Sequence, residues 1–230
     1  KREGTYKRYQ YLTSSMGGRT EIEGQEKLIV LCSNNYLGLA DKEEVVKRGV
    51  EVLEKYGAGA ASVRFICGTY DIHRDLEERL ADFLGTEAAL TYTSCWSANT
   101  AVIPALLEPG DTVISDELNH ASIIDGCRLV RKGVNRAVYK HSDMDSLEEK
   151  LKQYQDSKTI LVVTDGVFSM EGDIALLPQI LELTRKYNAI LMVDDSHSTG
   201  VIGKTGRGTA EYYGLHGEID IITGTFGKAL

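Results

Sequence analysis

Apolar runs with strand character alternate with amphipathic runs along most of this chain, and that alternation predicts its fold. Strand-like segments fall at 88–92, 111–115, 135–139, 159–164, 190–194 and 219–223, with a shorter one at Leu28–Cys32. Helical spacing occupies 97–107, 119–131, 143–156 and 175–188. Ile160-Leu-Val-Val163 and Ile190-Leu-Met-Val193 are apolar at every position, as strands are when helices cover both sheet faces. Upstream, Asp41 is expected to cap a helix through Tyr56 that turns Val45, Val46, Gly49, Val50 and Leu53 inward. Gly57-Ala-Gly-Ala-Ala-Ser62 reads as a turn of small residues. A second helix, Asp71–Leu84, would bury Leu76, Leu80, Phe83 and Leu84 and stop at Gly85. In the helix at 143–156, Ser142 or Asp143 supplies the cap, and Leu147 and Leu151 lie on the buried face.

The repeated βαβ rhythm predicts an α/β fold, a three-layer αβα sandwich around a mainly parallel sheet. Residues 1–40, with a basic start through Arg19, read as an N-terminal segment, and 41–230 as one large domain. The chain stops just after a strand-and-turn signal, so a fragment is expected, with more of the domain's cover beyond Leu230.

In doubly wound sheets ligands bind outside the carboxyl ends of the strands. The polar residues collect there: Ser94-Cys-Trp96, Ser115-Asp116, Thr164-Asp-Gly166, Asp194-Asp-Ser-His197 and Thr223-Gly-Thr225. Composition narrows the partners of such a crevice. A net charge of −8 argues against a general nucleic-acid binder, though local donors can still hold an anion. No apolar run approaches the roughly 20 residues needed to cross a bilayer. Lys1-Arg-Glu-Gly-Thr-Tyr6 leads into no apolar stretch, so no secretory leader is expected. Cys32, Cys67, Cys95 and Cys127 form no C-x-x-C pair, which suits reduced thiols and a cytoplasmic location.

Lys228, in Thr223-Gly-Thr-Phe-Gly-Lys-Ala-Leu230, follows one strand, and Val193-Asp-Asp-Ser-His197 ends the one before it. Alone, such a lysine is surface charge in a turn. Beside an acid and an imidazole from another strand end, it suits a covalent pyridoxal phosphate (PLP) site. There the lysine forms a Schiff base, the acid keeps the pyridine nitrogen protonated, and hydroxyl and amide donors hold the phosphate. Asp194 either pairs with that nitrogen or caps a helix. His197 reaches the cofactor's 3′-oxygen or is a satisfied core histidine, and Asp195 is expected to bond backbone or a neighbouring side chain. His120, in Asn119-His-Ala-Ser122, stacks on the cofactor ring or caps its helix. Ser169, in Gly166-Val-Phe-Ser-Met-Glu-Gly172, suits the 3′-oxygen as a donor. Ser94, Cys95 and Trp96 lie at a strand-to-helix turn whose N–H groups suit a phosphate, and Thr225 adds a hydroxyl.

Two other motifs carry less. Gly203-Lys204-Thr205 looks like the end of a P-loop, but the first glycine that loop requires is replaced by Ser198, and no long helix follows. Asp194, Asp195 and His197, with His73 or His120, could be imagined around a metal, but no paired-histidine spacing supports one.

Six segments together resemble the α-oxoamine synthases, fold-type I PLP enzymes that condense an amino acid with an acyl-CoA. They are Cys32-Ser-Asn-Asn-Tyr-Leu-Gly-Leu39, Ser62-Val-Arg-Phe-Ile-Cys-Gly-Thr69, Ser115–Gly126, Thr164–Gly172, Val193–His197 and Thr223–Leu230. The Ser62–Thr69 stretch looks most like glycine C-acetyltransferases, which condense glycine with acetyl-CoA in threonine degradation. The alternative is the 8-amino-7-oxononanoate synthases of biotin synthesis. The resemblance implies Lys228 as Schiff-base lysine and Asp194 as pyridinium partner. It also implies His197 and Ser169 on the 3′-oxygen, and His120 on the ring. Phosphate would be held by the Cys95 and Trp96 amides beside Ser94, together with Thr225. Asn34 and Arg64 would lie by the substrate. The resemblance further implies a carboxylate-binding arginine and a small domain beyond Leu230, and a homodimer with a shared active site. In the mechanism it implies, Lys228 takes the amino acid's Cα proton, the resulting carbanion attacks the thioester, and His120 or His197 supports the oxyanion.

Overall fold

The computed structural model describes Gly4, Tyr6, Lys7 and residues 9–230. Part of the basic start, and most of Lys1–Tyr6 on which the reading of no secretory leader rests, lie outside the described residues. By packing, the chain divides into two units: residues up to Ser62 together with Gly227–Leu230, and Val63–Phe226.

In the first unit, β1 (Arg19–Thr20) pairs antiparallel with β2 (Leu28–Ile29), Arg19 opposite Ile29 and Thr20 opposite Leu28. The strand expected through Cys32 therefore closes after two residues. Helix α1 spans Glu43–Tyr56 as its spacing predicts, but Asp41 does not cap it. Lys42 holds the cap position without a side-chain bond, and Asp41 Oδ2 instead accepts from Ser15 Oγ at 3.1 Å. The stripe of Val45, Val46, Val50 and Leu53 is about half exposed, and no residue of α1 is buried. Periodicity reports which face is apolar; burying it takes a second apolar layer, which this small unit does not supply.

The second unit holds α2 (Arg64–Cys67), α3 (Asp71–Leu84) and α4 (Cys95–Leu106), followed by a parallel sheet with its helices. The strands are β3 (Thr112–Asp116), β4 (Asn135–Tyr139), β5 (Ile160–Asp165), β6 (Ile190–Asp194) and β7 (Ile221–Thr223), in spatial order β4-β3-β5-β6-β7. Every neighbouring pair is parallel. The helices between them are α5 (Ala121–Arg128), α6 (Met144–Gln153), α7 (Leu177–Lys186) and the short α8 (Thr209–Tyr212). Strand residues alternate between two cores. Ile160, Val162, Leu191 and Val193 pack with Leu147, Leu151, Leu177 and Ile180 of α6 and α7. Leu161, Val163 and Met192 pack with Ile103, Leu107, Ile123 and Cys127 of the α4–α5 side. That period of two inside wholly apolar runs yields the expected three-layer αβα sandwich.

Three expectations change in this unit. Residues 88–92 are extended but join no ladder; the Thr91 N–H donates instead to Glu77 Oε1 at 2.7 Å. Helix α5 begins at Ala121, because the His120 ring accepts the Ser122 N–H at 3.3 Å and takes the cap. In α3 only Ala81 is buried, while Leu76 remains partly exposed. Asp143 does cap α6, accepting from Ser146 N at 2.9 Å, and Leu147 and Leu151 are fully buried.

The sheet order reverses at β3, whose two neighbours are β4 and β5, which makes a crevice at their carboxyl ends. Asn119 spans it, donating to Val163 O at 2.8 Å and accepting the Asp165 N–H at 2.7 Å. Nearby, His141 sits between two acids, Nδ1 3.0 Å from Asp116 and Nε2 2.8 Å from Asp173. Its ring meets Phe168 edge-on at 4.4 Å and so fastens the loop that carries Ser169. Burial opposes the imidazolium, but the hydrogen bonds to Asp173 and Asp116 outweigh it and raise the pKa above 6.5. A raised folded-state pKa adds stability that is whole below the unfolded value and fades as pH climbs through the folded one. His141→Gln should therefore lose most stability, relative to wild type, in mildly acid buffer, with the gap closing at alkaline pH. Denaturant melts of both proteins across that range measure it, and a gap independent of pH would contradict the clamp.

Candidate active site

The carboxyl ends of β5, β6 and β7 lie in register, Asp165 beside Asp194 and Asp194 beside Thr223. Asp194 is 4% exposed at the last position of β6. Its Oδ1 accepts the Ser196 N–H at 3.0 Å, and its Oδ2 accepts from Asn99 Nδ2 at 2.6 Å and Cys95 Sγ at 3.5 Å. Cys95 and Asn99 are four apart on α4, hence on one helix face, which is turned to this carboxyl group. Burial, then the adjacent Asp194, push the Cys95 thiol up to about 11, so it stays protonated and donates. The Ser196 N–H, the Asn99 amide and the Cys95 thiol that donate to Asp194 are all neutral. A buried carboxylate of that kind is a seat for a cation.

Helix α4 opens below that group. Ser94 Oγ takes the Ser97 N–H at 3.1 Å, and Ser94 O takes the Ala98 N–H at 3.0 Å. The N–H groups of Cys95 and Trp96 bond nothing among the described residues, so two first-turn donors stand open for an anion. Trp96 meets the His120 ring edge-on at 5.8 Å. His120 is anchored by its N–H to Asp165 Oδ2 at 2.7 Å, and its Nδ1 lies 2.7 Å from Ser122 Oγ. Ser122 Oγ in turn accepts from Asn99 Nδ2 at 2.9 Å. Helix α5 comes this close to α4 because Gly126 has no side chain; a Cβ there would stand 2.7 Å from Asn99 O.

Asp194, Cys95, Trp96 and His120 are thus brought together through Asn99 and Ser122. Ser94 caps the same helix. Thr225 follows β7 and is partly buried, as is His197 in the turn after β6. Ser169 is exposed on its loop. Arg64 stands apart: both terminal nitrogens pair with Glu77, at 2.6 and 2.9 Å, so a substrate carboxylate would compete with that acid for them. Asn34 and Lys228 fall in the first unit, Asn34 exposed with Tyr36 OH donating to its Oδ1 at 3.2 Å, and Lys228 partly buried. Asp195 bonds as expected, accepting from Thr209 Oγ1 at 2.6 Å and Thr209 N at 2.9 Å.

A family model described as aminotransferase class I and II matches residues 26–230. The chain belongs to that family. An 8-amino-7-oxononanoate synthase of Thermoanaerobacter pseudethanolicus is 52% identical over all of this chain, which spans 58% of that relative's length. The one from Geobacter sulfurreducens is 50% identical, again with 58% of its length spanned. A solved serine palmitoyltransferase from S. paucimobilis, a lysine-to-alanine variant with bound PLP–myriocin aldimine, has a TM-score of 0.91 at 34% identity. The match covers 96% of this chain and 55% of that one. A solved 8-amino-7-oxononanoate synthase from Francisella tularensis has a TM-score of 0.71 at 29% identity, covering 86% of this chain and 54% of the other.

For a member of this family the question is whether these residues suit PLP, and they do. The cofactor carries a ring nitrogen that is cationic when protonated and a dianionic phosphate, and the site pairs a buried carboxylate with open helix-terminal donors. Ser196 Oγ, buried next to Asp194 in sequence and without a well-formed hydrogen bond among the described residues, is a further polar atom at this strand end. Reading the sequence alone missed Ser196, Ser122 and Asn99. Asn99 had a visible signal, a lone amide among apolar residues of α4, one turn from Cys95. No helix among the described residues is long and apolar enough to cross a membrane, and no group of three or more potential metal ligands occurs among them.

Proposed function

We propose that this chain carries the PLP-binding part of an α-oxoamine synthase, which joins an amino acid to an acyl thioester. The observation that carries the reading is Asp194, a buried carboxyl group at a strand end that accepts from the neutral Asn99 amide and Cys95 thiol, with the open N-terminus of α4 beside it. Residues 41–230 would form the cofactor-binding large domain, with 1–40 as a preceding arm, and the protein would work as a homodimer.

The roles proposed are those the family resemblance implies. Asp194 accepts the ring N–H of PLP. The N–H groups of Cys95 and Trp96, next to Ser94 and with Thr225, bind the phosphate, and the His120 ring faces the cofactor ring. His197 and Ser169 hold the 3′-oxygen. Lys228 Nζ would hold the cofactor covalently and, displaced by the incoming amine, would serve as the base for the amino acid's Cα proton. When bound, PLP supplies the electron sink that makes such a proton removable. His120 or His197 donates to the oxyanion formed as the thioester carbonyl is attacked. Asn34 and Arg64 would bind the substrate, Arg64 by exchanging Glu77 for a substrate carboxylate.

The relatives favour 8-amino-7-oxononanoate synthesis from alanine and a pimeloyl thioester over the glycine and acetyl-CoA reaction, since those near 50% identity carry that name. Ser62–Thr69 keeps the glycine C-acetyltransferase reading as second. Full-length protein offered alanine or glycine with pimeloyl-, propionyl- or acetyl-CoA decides between them by the rate of CoA release. Alanine with pimeloyl-CoA is expected to lead. Glycine with acetyl-CoA leading would reverse the order, and no release with any pair would remove the acyltransferase reading.

A further inference from the structure

We infer that Asn99 is a positioning residue that sets two groups of the PLP site at once, the Asp194 carboxyl group and the His120 ring; the inference rests on the PLP reading above. Asn99 is fully buried in α4, and its amide makes three hydrogen bonds. Nδ2 donates to Asp194 Oδ2 at 2.6 Å and to Ser122 Oγ at 2.9 Å, and Oδ1 accepts from Thr223 Oγ1 at 2.9 Å. One side chain therefore joins the ends of β6 and β7 to the first turn of α5.

The direction of these bonds is forced. Asp194 Oδ2 is an acceptor, so the amide nitrogen must face it and the amide oxygen must face Thr223. The second Nδ2 hydrogen goes to Ser122 Oγ, which keeps its own hydrogen to offer His120 Nδ1, 2.7 Å away. The Ser122 N–H donates to the same ring nitrogen at 3.3 Å. Nδ1 is thereby an acceptor twice over, and the ring proton sits on Nε2. An aspartate or a leucine at position 99 could not reproduce the pattern: an ionised aspartate cannot donate to Asp194, and a leucine leaves Asp194, Ser122 and Thr223 without their common partner.

The chain makes predictions that a merely structural asparagine does not. In wild-type protein, imidazole ¹⁵N NMR should find the His120 proton on Nε2. Full-length protein loaded with PLP, titrated with pH and followed by visible absorption, reads the ring nitrogen's partner directly. Asn99→Ala is expected to weaken PLP binding by about tenfold or more, since a hydrogen bond to a charged group is lost. Asn99→Asp places a second carboxyl group within contact of Asp194, so the two must share a proton, and the spectrum should gain a transition absent from wild type and from Asn99→Ala. Thr223→Val, which leaves Asn99 in place but removes the donor to its oxygen, should shift the titration the same way by less.

A structural role would lower the melting temperature of all three variants while leaving the spectral titration unchanged. Folded variants with wild-type titration and PLP affinity within about twofold would overturn the inference, as would a wild-type His120 protonated on Nδ1. If wild-type protein forms no PLP-dependent band at all, the PLP reading fails and this inference falls with it. A wild-type band with unaltered variants removes only the role of Asn99.

Discussion

Asp194→Asn is expected to lower the acyl-transfer turnover of the full-length protein by about 10²–10³-fold, the usual effect of removing one preorganised electrostatic partner. The substitution keeps the shape of the side chain and removes its charge. It also sets an amide N–H against a neighbour that already donates, either the Ser196 N–H at one oxygen or Asn99 Nδ2 at the other. That mismatch should cost about 1–3 kcal/mol of stability, a minor loss beside the loss in turnover. Steady-state rates and thermal melts of the same preparation separate the two effects. A variant with wild-type turnover would show that Asp194 is a helix-side structural acid and has no part in holding a cationic ring.

The largest effect on folding is expected from Gly208→Ala. Gly208 has φ near +93°, in the left-handed region that favours glycine, and a Cβ there would overlap Asp195 Oδ2. Asp195 cannot step aside. It is 1% exposed, accepts two hydrogen bonds from Thr209, and sends its own N–H to Thr223 O at 2.7 Å. Burial pushes its carboxyl pKa up, and the bonds from Ser198 and Thr209 work against that push. Backbone strain and overpacking together should destabilise the protein by about 3–5 kcal/mol. Because Asp195 adjoins Asp194 and is tied to the end of β7, PLP affinity should fall along with stability. Urea melts with and without PLP measure both; a melt unchanged from wild type would contradict the packing described for this turn.

The sheet was legible because its central strands β3, β5 and β6 are buried on both faces. Residues 135–139 and 190–194 carry the predicted bounds, and the β5 run differs from expectation by one residue at each end. The positions of Asp194 and His120 followed from the same logic, since a polar residue ending an apolar strand has few places to go. What was not legible depends on partners in space. The stripe of α1 is apolar in sequence and half exposed in the fold, because spacing alone does not say what lies opposite. Residues 88–92 have strand composition, yet Glu77 takes the Thr91 N–H a ladder would have used. Arg64 sits in the Ser62–Thr69 stretch on which the family resemblance partly rests, yet its fork is turned to Glu77. Asn99 and Ser122 looked like ordinary helix residues until α4 and α5 were seen to meet at Gly126.

The account depends on one covalent attachment, which chemical trapping addresses directly. Full-length protein loaded with PLP, reduced with borohydride, digested and mapped by mass spectrometry should carry the pyridoxyl group on Lys228, with no label in Lys228→Ala. A label on another lysine, Lys204 of the Gly203-Lys204-Thr205 turn for example, or no label on wild-type protein, would contradict it.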